Sequence, residues 1–118
     1  MTEKKALRVQ DYIEHMLGAI ERIESYVHDL DQAAFESNTL VQDAVIRNFE
    51  IIAEAANKIQ LADSTFAQRH PQLRLDLAYR MRNALIHGYD SVNLSTIWNT
   101  IQSDLPTLRG QLANIPHA

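Results

Sequence analysis

Apolar residues recur at three- and four-residue intervals along most of the chain, and this spacing predicts amphipathic helices. The first run extends from Lys5 to about Leu30 and predicts one long helix. Its apolar face comprises Val9, Tyr12, Ile13, Met16, Ile20, Ile23, Val27 and Leu30. Residues 31–35 are expected to add a short helical turn before the chain reverses direction.

A second long helix is predicted to begin after the cap-type residues at positions 36–39, which can accept hydrogen bonds from free backbone N–H groups. Its apolar face comprises Val41, Val45, Phe49, Ile52, Ala56 and Ile59. Alanines at positions 53, 55 and 56 leave room for another backbone to come close. We therefore expect tight antiparallel packing against the first helix.

Residues 63–71 interrupt the helical pattern, because Pro71 lacks an N–H group and disfavours helix at His70. A third helix with a buried stripe of Leu73, Leu77, Met81 and Leu85 is predicted to follow and to end at Gly88.

Asn93 is a suitable N-cap for a fourth helix, which Pro106 either kinks or restarts. Its apolar face comprises Ile97, Ile101, Leu105, Leu108 and Leu112. Four helices with short links, and no credible strand, predict an all-α antiparallel up-and-down four-helix bundle with one short extra helix. We expect residues 1–118 to form a single domain that a second copy completes as a homodimer.

Composition narrows the class of protein further. The chain has no cysteine, which excludes a disulfide framework and a thiolate metal site. The N-terminus shows no secretion-type apolar segment and no apolar run is long enough to span a membrane, so a cytoplasmic location is expected. The net charge of −4 argues against non-specific coating of nucleic acid. Residues 69–87 reverse this balance with four arginines against one aspartate, so one face could attract a phosphate.

The chemistry concentrates at residues 80–90 (RMRNALIHGYD). On a helix, Arg80, Asn83 and His87 share one face, whereas Arg82 lies roughly 140° from His87 and aligns with Tyr89. Either arginine could therefore be the main phosphate contact. The pattern shows no metal-ligand spacing and no glycine-rich phosphate loop, so we expect neither a metal nor a cofactor.

Histidine and arginine together suit the cleavage of RNA. Histidine exchanges protons near neutral pH, and arginine offers a permanent charge that fits phosphate oxygens. Because RNA carries its own 2′-hydroxyl nucleophile, the reaction needs no metal. The residues alone also allow a simpler interpretation, in which His87 caps a helix C-terminus and the arginines are solvated.

Residues 82–89 (RNALIHGY), together with residues 45–57 (VIRNFEIIAEAAN) before them and 97–106 after them, resemble the HEPN superfamily. Within it, the chain is most similar to the HepT-like ribonuclease toxins. Many relatives carry an Ile-Pro-Trp type segment ahead of the third helix, where this chain keeps Pro71 but has no tryptophan.

The resemblance implies an all-helical homodimer that cuts RNA without a metal ion in a cleft lined by both copies. Arg82 and His87 would be the catalytic pair, with Asn83 and Arg80 in support. The implied partner is a minimal nucleotidyltransferase of the MNT type, which acts as antitoxin by transferring AMP to Tyr89. A higher assembly with the antitoxin stays open, as does the alternative that the chain is a non-catalytic HEPN module that binds a nucleotide or serves as a scaffold.

Overall fold

The computed structural model describes the backbone of residues 3–86 and 93–115 and the side chains of residues 8–83 and 93–115. These ranges contain no strand. Their helices are α1 (Glu3–Val27), α2 (Gln32–Glu36), α3 (Thr39–Ala62), α4 (Phe66–Arg69), α5 (Leu75–Ile86) and α6 (Leu94–Ala113). The all-α prediction is therefore confirmed. No helix in the described ranges is both long and apolar enough to cross a membrane.

The long helices α1 and α3 run antiparallel and share the most extensive contact in the molecule. Near the start of α1, Tyr12 lies under the ammonium group of Lys58, 5.9 Å from ring centroid to Nζ, near the end of α3. Towards the other end of α1, Arg22 Nε donates to Asn48 Oδ1 at 2.8 Å. Helix α5 packs on α3, and α6 contacts both α1 and α5, so four helices enclose one core.

The residues that fill this core are mostly those expected from the apolar pattern. Small side chains at Ala53, Ala55 and Ala56 are buried in α3 and allow its neighbours to approach closely. Phe35 of α2 is fully buried and its ring lies 5.4 Å from that of Trp98 in α6. The five predicted apolar residues of α6 are all buried, namely Ile97, Ile101, Leu105, Leu108 and Leu112.

Side-chain caps begin three of the helices. Asp31, Asn38 and Asn93 accept from the backbone N–H groups of Ala34, Val41 and Thr96 at 2.8, 3.1 and 3.0 Å. Each bond satisfies an N–H group that has no partner inside its own helix. The predicted starts of α3 and α6 are thereby confirmed.

The segment between α3 and α5 differs from the prediction of a plain connection, because residues 66–69 form the one-turn helix α4. Phe66 anchors this turn in the core at 2% exposure. Asp63, itself buried, accepts hydrogen bonds from the N–H and hydroxyl of Thr65 and from the guanidinium of Arg69. This cluster of polar contacts fixes the reversal that leads into α5.

The start of one helix also differs from the prediction, and the structure decides between the two alternatives for Pro106. The third long helix begins at Leu75, two residues later than the stripe indicated, since Leu73 and Leu75 are engaged in turn hydrogen bonds. Helix α6 continues through Pro106 as one element, so the alternative of a restarted helix is wrong. The hydroxyl of Thr107 donates to the carbonyl of Ser103 at 3.2 Å in the same turn.

Candidate active site

Helix α5 carries the arginines and the asparagine of the motif on its solvent side. Arg80, Arg82 and Asn83 are all exposed, while Leu77 and Met81 on the opposite side are buried. His87 and Tyr89 lie outside the described residues. The structure therefore places the arginine half of the predicted site.

Arg82 lies at one side of a groove between α5 and α3 with a volume of about 300 Å³. The α3 side of this Arg82 groove consists of Glu50, Ala53, Glu54 and Asn57. Positions 50, 54 and 57 fall on one face of a helix, because they are separated by four and three residues. Ala53 has no side chain beyond Cβ, which keeps the floor of the groove open.

The two carboxylates in the Arg82 groove each have a cation of their own on α3. Arg47 Nη1 lies 3.5 Å from Glu50 Oε2, and Lys58 Nζ lies 3.5 Å from Glu54 Oε1. Within the described ranges, Arg82 itself makes no hydrogen bond or ion pair. A guanidinium with no partner among these residues is well matched to the oxygens of a phosphate.

Arg80 lines a different groove, formed with α6 on the other side of α5. The side chains that share this Arg80 groove are Thr96, Asn99, Thr100, Ser103 and Asp104. Two residues along a helix correspond to a rotation of roughly 200°, which explains why neighbouring arginines serve separate grooves. Asn83 lies on the exposed face between them.

A charged pair, Arg74 and Asp76, lies at the start of α5. Arg74 Nη2 donates to Asp76 Oδ2 at 2.9 Å, and this hydrogen bond lowers the pKa of Asp76, with a smaller contribution from Arg80. The backbone N–H of Arg74 donates to Gln111 Oε1 of α6 at 2.8 Å. The end of α5 remote from the motif is therefore tied to α6.

The described ranges hold no group of three or more His, Asp or Glu side chains placed to bind a metal ion. His70 is half-buried against the Phe66 ring, with centroids 4.5 Å apart. Its pKa is lowered, first by burial and then by the positive charge of Arg69. His70 thus belongs to the α4 corner of the fold.

Glu50, Glu54 and Asn57 of α3 were not predicted as site residues. Their polar character at four- and three-residue spacing on the amphipathic helix α3 is the signal that marks them. That signal does not distinguish a groove from an ordinary solvated face.

Residues 16–115 match the model of the family described as "Ribonuclease HepT-like". The chain is 35% identical over 106 residues to the protein named "Probable ribonuclease HepT" of Thermococcus cleftensis, covering 90% of this chain and 94% of that one.

Two further relatives have the same kind of name. A candidate RNase of Caldanaerobacter subterraneus is 31% identical over 104 residues, covering 88% of this chain and 90% of its own. A protein of Methanocaldococcus jannaschii, named both as a gamma-glutamylcyclotransferase and as a candidate RNase, is 33% identical over 107 residues, covering 91% of this chain and 47% of its own. No solved structure gives a significant match.

Proposed function

The chain belongs to the ribonuclease HepT-like family, and from this premise we propose that it is the metal-independent RNA endonuclease of a toxin–antitoxin pair, with Arg82 and His87 as its catalytic residues. The activity class follows from the family: the chain is an endoribonuclease and its substrate is RNA. The observation that carries the finer assignment is the exposed Arg82, which has no partner in the described ranges and faces an open groove.

The proposed reaction is an internal transfer at phosphorus. The His87 imidazole takes the proton of the 2′-hydroxyl, and the 2′-oxygen then attacks the adjacent phosphorus. Arg82 neutralises the charge that develops on the phosphate oxygens. The bond to the 5′-oxygen breaks, that oxygen receives a proton, and a 2′,3′-cyclic phosphate remains. In a homodimer, the second copy of His87 would supply the acid.

Asn83 and Arg80 are proposed to support this reaction from the exposed side of α5. Asn83 would orient the substrate between the two grooves, and Arg80 would hold phosphate in the Arg80 groove. Arg82 is the main phosphate contact at the cleaved bond. The groove that it lines also contains Glu50, Glu54 and Asn57 of α3, which belong to the segment 45–57 that resembles the family.

The toxin role and its control complete the proposal. An MNT-type nucleotidyltransferase would silence the enzyme by attaching AMP to Tyr89, which places a phosphate where the RNA phosphate must lie. Both activities would take place in the cytoplasm. Mass spectrometry of Tyr89 after incubation with an MNT-type nucleotidyltransferase and ATP tests this part, and an unmodified Tyr89 would rule it out.

RNA cleavage in the presence of a chelator tests the catalytic assignment. Purified protein should cut a mixed cellular RNA pool into products with cyclic phosphate ends, and its expression should arrest growth. His87→Ala and Arg82→Ala should lose both effects. His28→Ala is the matched control, because the side chain of His28 is 81% exposed beyond the end of α1.

Each alternative has its own result. Equal cleavage by the wild type and His87→Ala would contradict the catalytic role of His87. An absence of cleavage by all variants, combined with tight nucleotide or partner binding, would favour the non-catalytic module instead. Loss of the helical signal in His87→Ala would support the simpler view of His87 as a helix cap.

A further inference from the structure

The Arg80 groove is built entirely of polar side chains. Its volume is about 310 Å³, and it is lined by Arg80, Thr96, Asn99, Thr100, Ser103 and Asp104. This volume lies at the lower end of the range for small-molecule sites, roughly 300–1,000 Å³. A lining of one guanidinium, one carboxylate, one amide and three hydroxyls suits a hydrophilic ligand better than an apolar one.

The α6 side of the Arg80 groove is one continuous stripe. Positions 96, 99, 100, 103 and 104 recur at three- and four-residue intervals, so their side chains lie above one another on a single helix face. The Thr100 hydroxyl donates to the carbonyl of Thr96 at 2.9 Å and keeps its own lone pairs for a ligand.

The two charged residues of the Arg80 groove are Arg80 and Asp104. Asp76, the carboxylate on the same helix whose pKa Arg80 helps to lower, is already bound by Arg74 at 2.9 Å. Within the described part of the chain, neither Arg80 nor Asp104 takes part in a hydrogen bond or ion pair. A ligand therefore meets a cation on the α5 side that also attracts Asp76, and a carboxylate on the α6 side that also attracts Arg74.

The presence of both Arg80 and Asp104 in the groove limits which ligands can bind there. A carboxylate repels phosphate, so a ligand that fills the groove needs an anionic group at Arg80 and a hydrogen-bond donor at Asp104. A ribonucleotide within a strand has both, because its phosphate is charged and its 2′-hydroxyl and base amino groups donate.

We propose that the Arg80 groove binds a nucleotide of the RNA strand next to the one that is cleaved, with Arg80 on its phosphate and the α6 stripe on its sugar and base. This inference rests on the proposed ribonuclease function. Arg80 and Arg82 lie on opposite sides of a helix that is about 10–12 Å across with its side chains. A strand that passes over Asn83 would reach both grooves.

Binding without turnover isolates this groove from the reaction. The His87→Ala chain is titrated into a fluorescently labelled oligoribonucleotide of about ten nucleotides, a length within the range that single-strand sites cover. Anisotropy is measured at several salt concentrations. Arg80→Gln in this background should raise Kd by about tenfold and reduce the slope of log Kd against log salt by about one, because one phosphate contact is lost.

Two further variants make the result specific. Arg8→Gln removes the same charge from an exposed site on α1 and should leave Kd and the salt slope as in the parent. Thr100→Val keeps the shape of the side chain but removes its hydroxyl, so it should weaken binding and leave the salt slope unchanged.

The outcomes separate this inference from the proposed function. If Arg80→Gln and Arg8→Gln give the same Kd and the same salt slope, the proposal that the groove binds RNA is wrong. It is also wrong if Arg80→Gln weakens binding as expected but Thr100→Val does not, because Arg80 would then act only as a diffuse surface charge. If the wild-type chain fails to cut RNA but both groove variants bind it less tightly, the groove stands and the ribonuclease proposal fails.

Discussion

The half-buried hydrogen bond between Arg22 and Asn48 offers a direct test of how much one polar contact contributes to the packing of α1 against α3. Asn48 is 4% exposed, accepts from Arg22 Nε at 2.8 Å and donates to the carbonyl of Ala44 at 2.8 Å. Asn48→Ala removes both bonds and leaves a guanidinium without its acceptor. We expect a loss of stability, because no other helix–helix hydrogen bond links α1 and α3 in the described ranges.

The size of this loss follows from the contacts. A hydrogen bond to a charged group contributes about 1.5–3 kcal/mol, and the exposure of Arg22 to water places this one at the lower end. With a small further loss from the neutral bond, we expect the free energy of unfolding to fall by about 2 kcal/mol. The unfolding entropy of a chain of 118 residues is about 0.25 kcal/mol per kelvin, so Tm should fall by about 8 °C.

Urea and thermal unfolding of a double-mutant cycle provide the assay. The cycle comprises Asn48→Ala, Arg22→Ala and both together, and the coupling free energy should be about 1.5 kcal/mol. Asn57→Ala is the matched control, an exposed asparagine on the same helix whose loss should change stability by less than about 0.5 kcal/mol. A coupling below about 0.3 kcal/mol, or a loss for Asn48→Ala no greater than for the control, would refute the reasoning.

Two further predictions concern α2 and the α4 corner. Phe35→Ala should reduce the free energy of unfolding by about 3–4 kcal/mol, because the ring is fully buried. It should also change the fluorescence of Trp98, the only tryptophan, whose ring lies 5.4 Å from that of Phe35. Unchanged emission would contradict this contact. His70, whose pKa is lowered by burial and by Arg69, favours folding in its neutral form, so stability should be complete above its unfolded pKa of about 6.5 and should fall as pH decreases towards its folded pKa. Urea unfolding across this window should show a flatter pH dependence for His70→Gln, and an unchanged slope would be inconsistent with the assignment.

The long helices could be predicted because their information is local. The apolar faces of α1, α3 and α6 follow from spacing alone, and Asn38 and Asn93 act as caps through bonds to residues three positions later. Helix α4 could not be predicted in this way, since four residues are too few to show a period. It depends on the burial of Phe66 and on the contact between Asp63 and Arg69, both of which require the folded chain.

The candidate site was predictable only in part, for a related reason. Helical geometry places Arg80 and Arg82 on different sides of α5, but it does not indicate which helix packs beside each one. The residues that line the groove beside Arg82 come from α3, about 25–32 positions earlier in the chain. Those that line the groove beside Arg80 come from α6. The role of His87 stays a prediction, because this residue lies outside the described part.

The pairing of Glu50 with Arg47, and of Glu54 with Lys58, affects how the proposed site can change over generations. The electrostatic potential around Arg82 depends in part on these two cations of α3, of which Arg47 is exposed and Lys58 also lies over the ring of Tyr12. If the Arg82 groove binds RNA as proposed, replacing either cation would leave a carboxylate unpaired and weaken the attraction for the RNA phosphate. RNA affinity would then change through Arg47 or Lys58 while the motif on α5 stays intact.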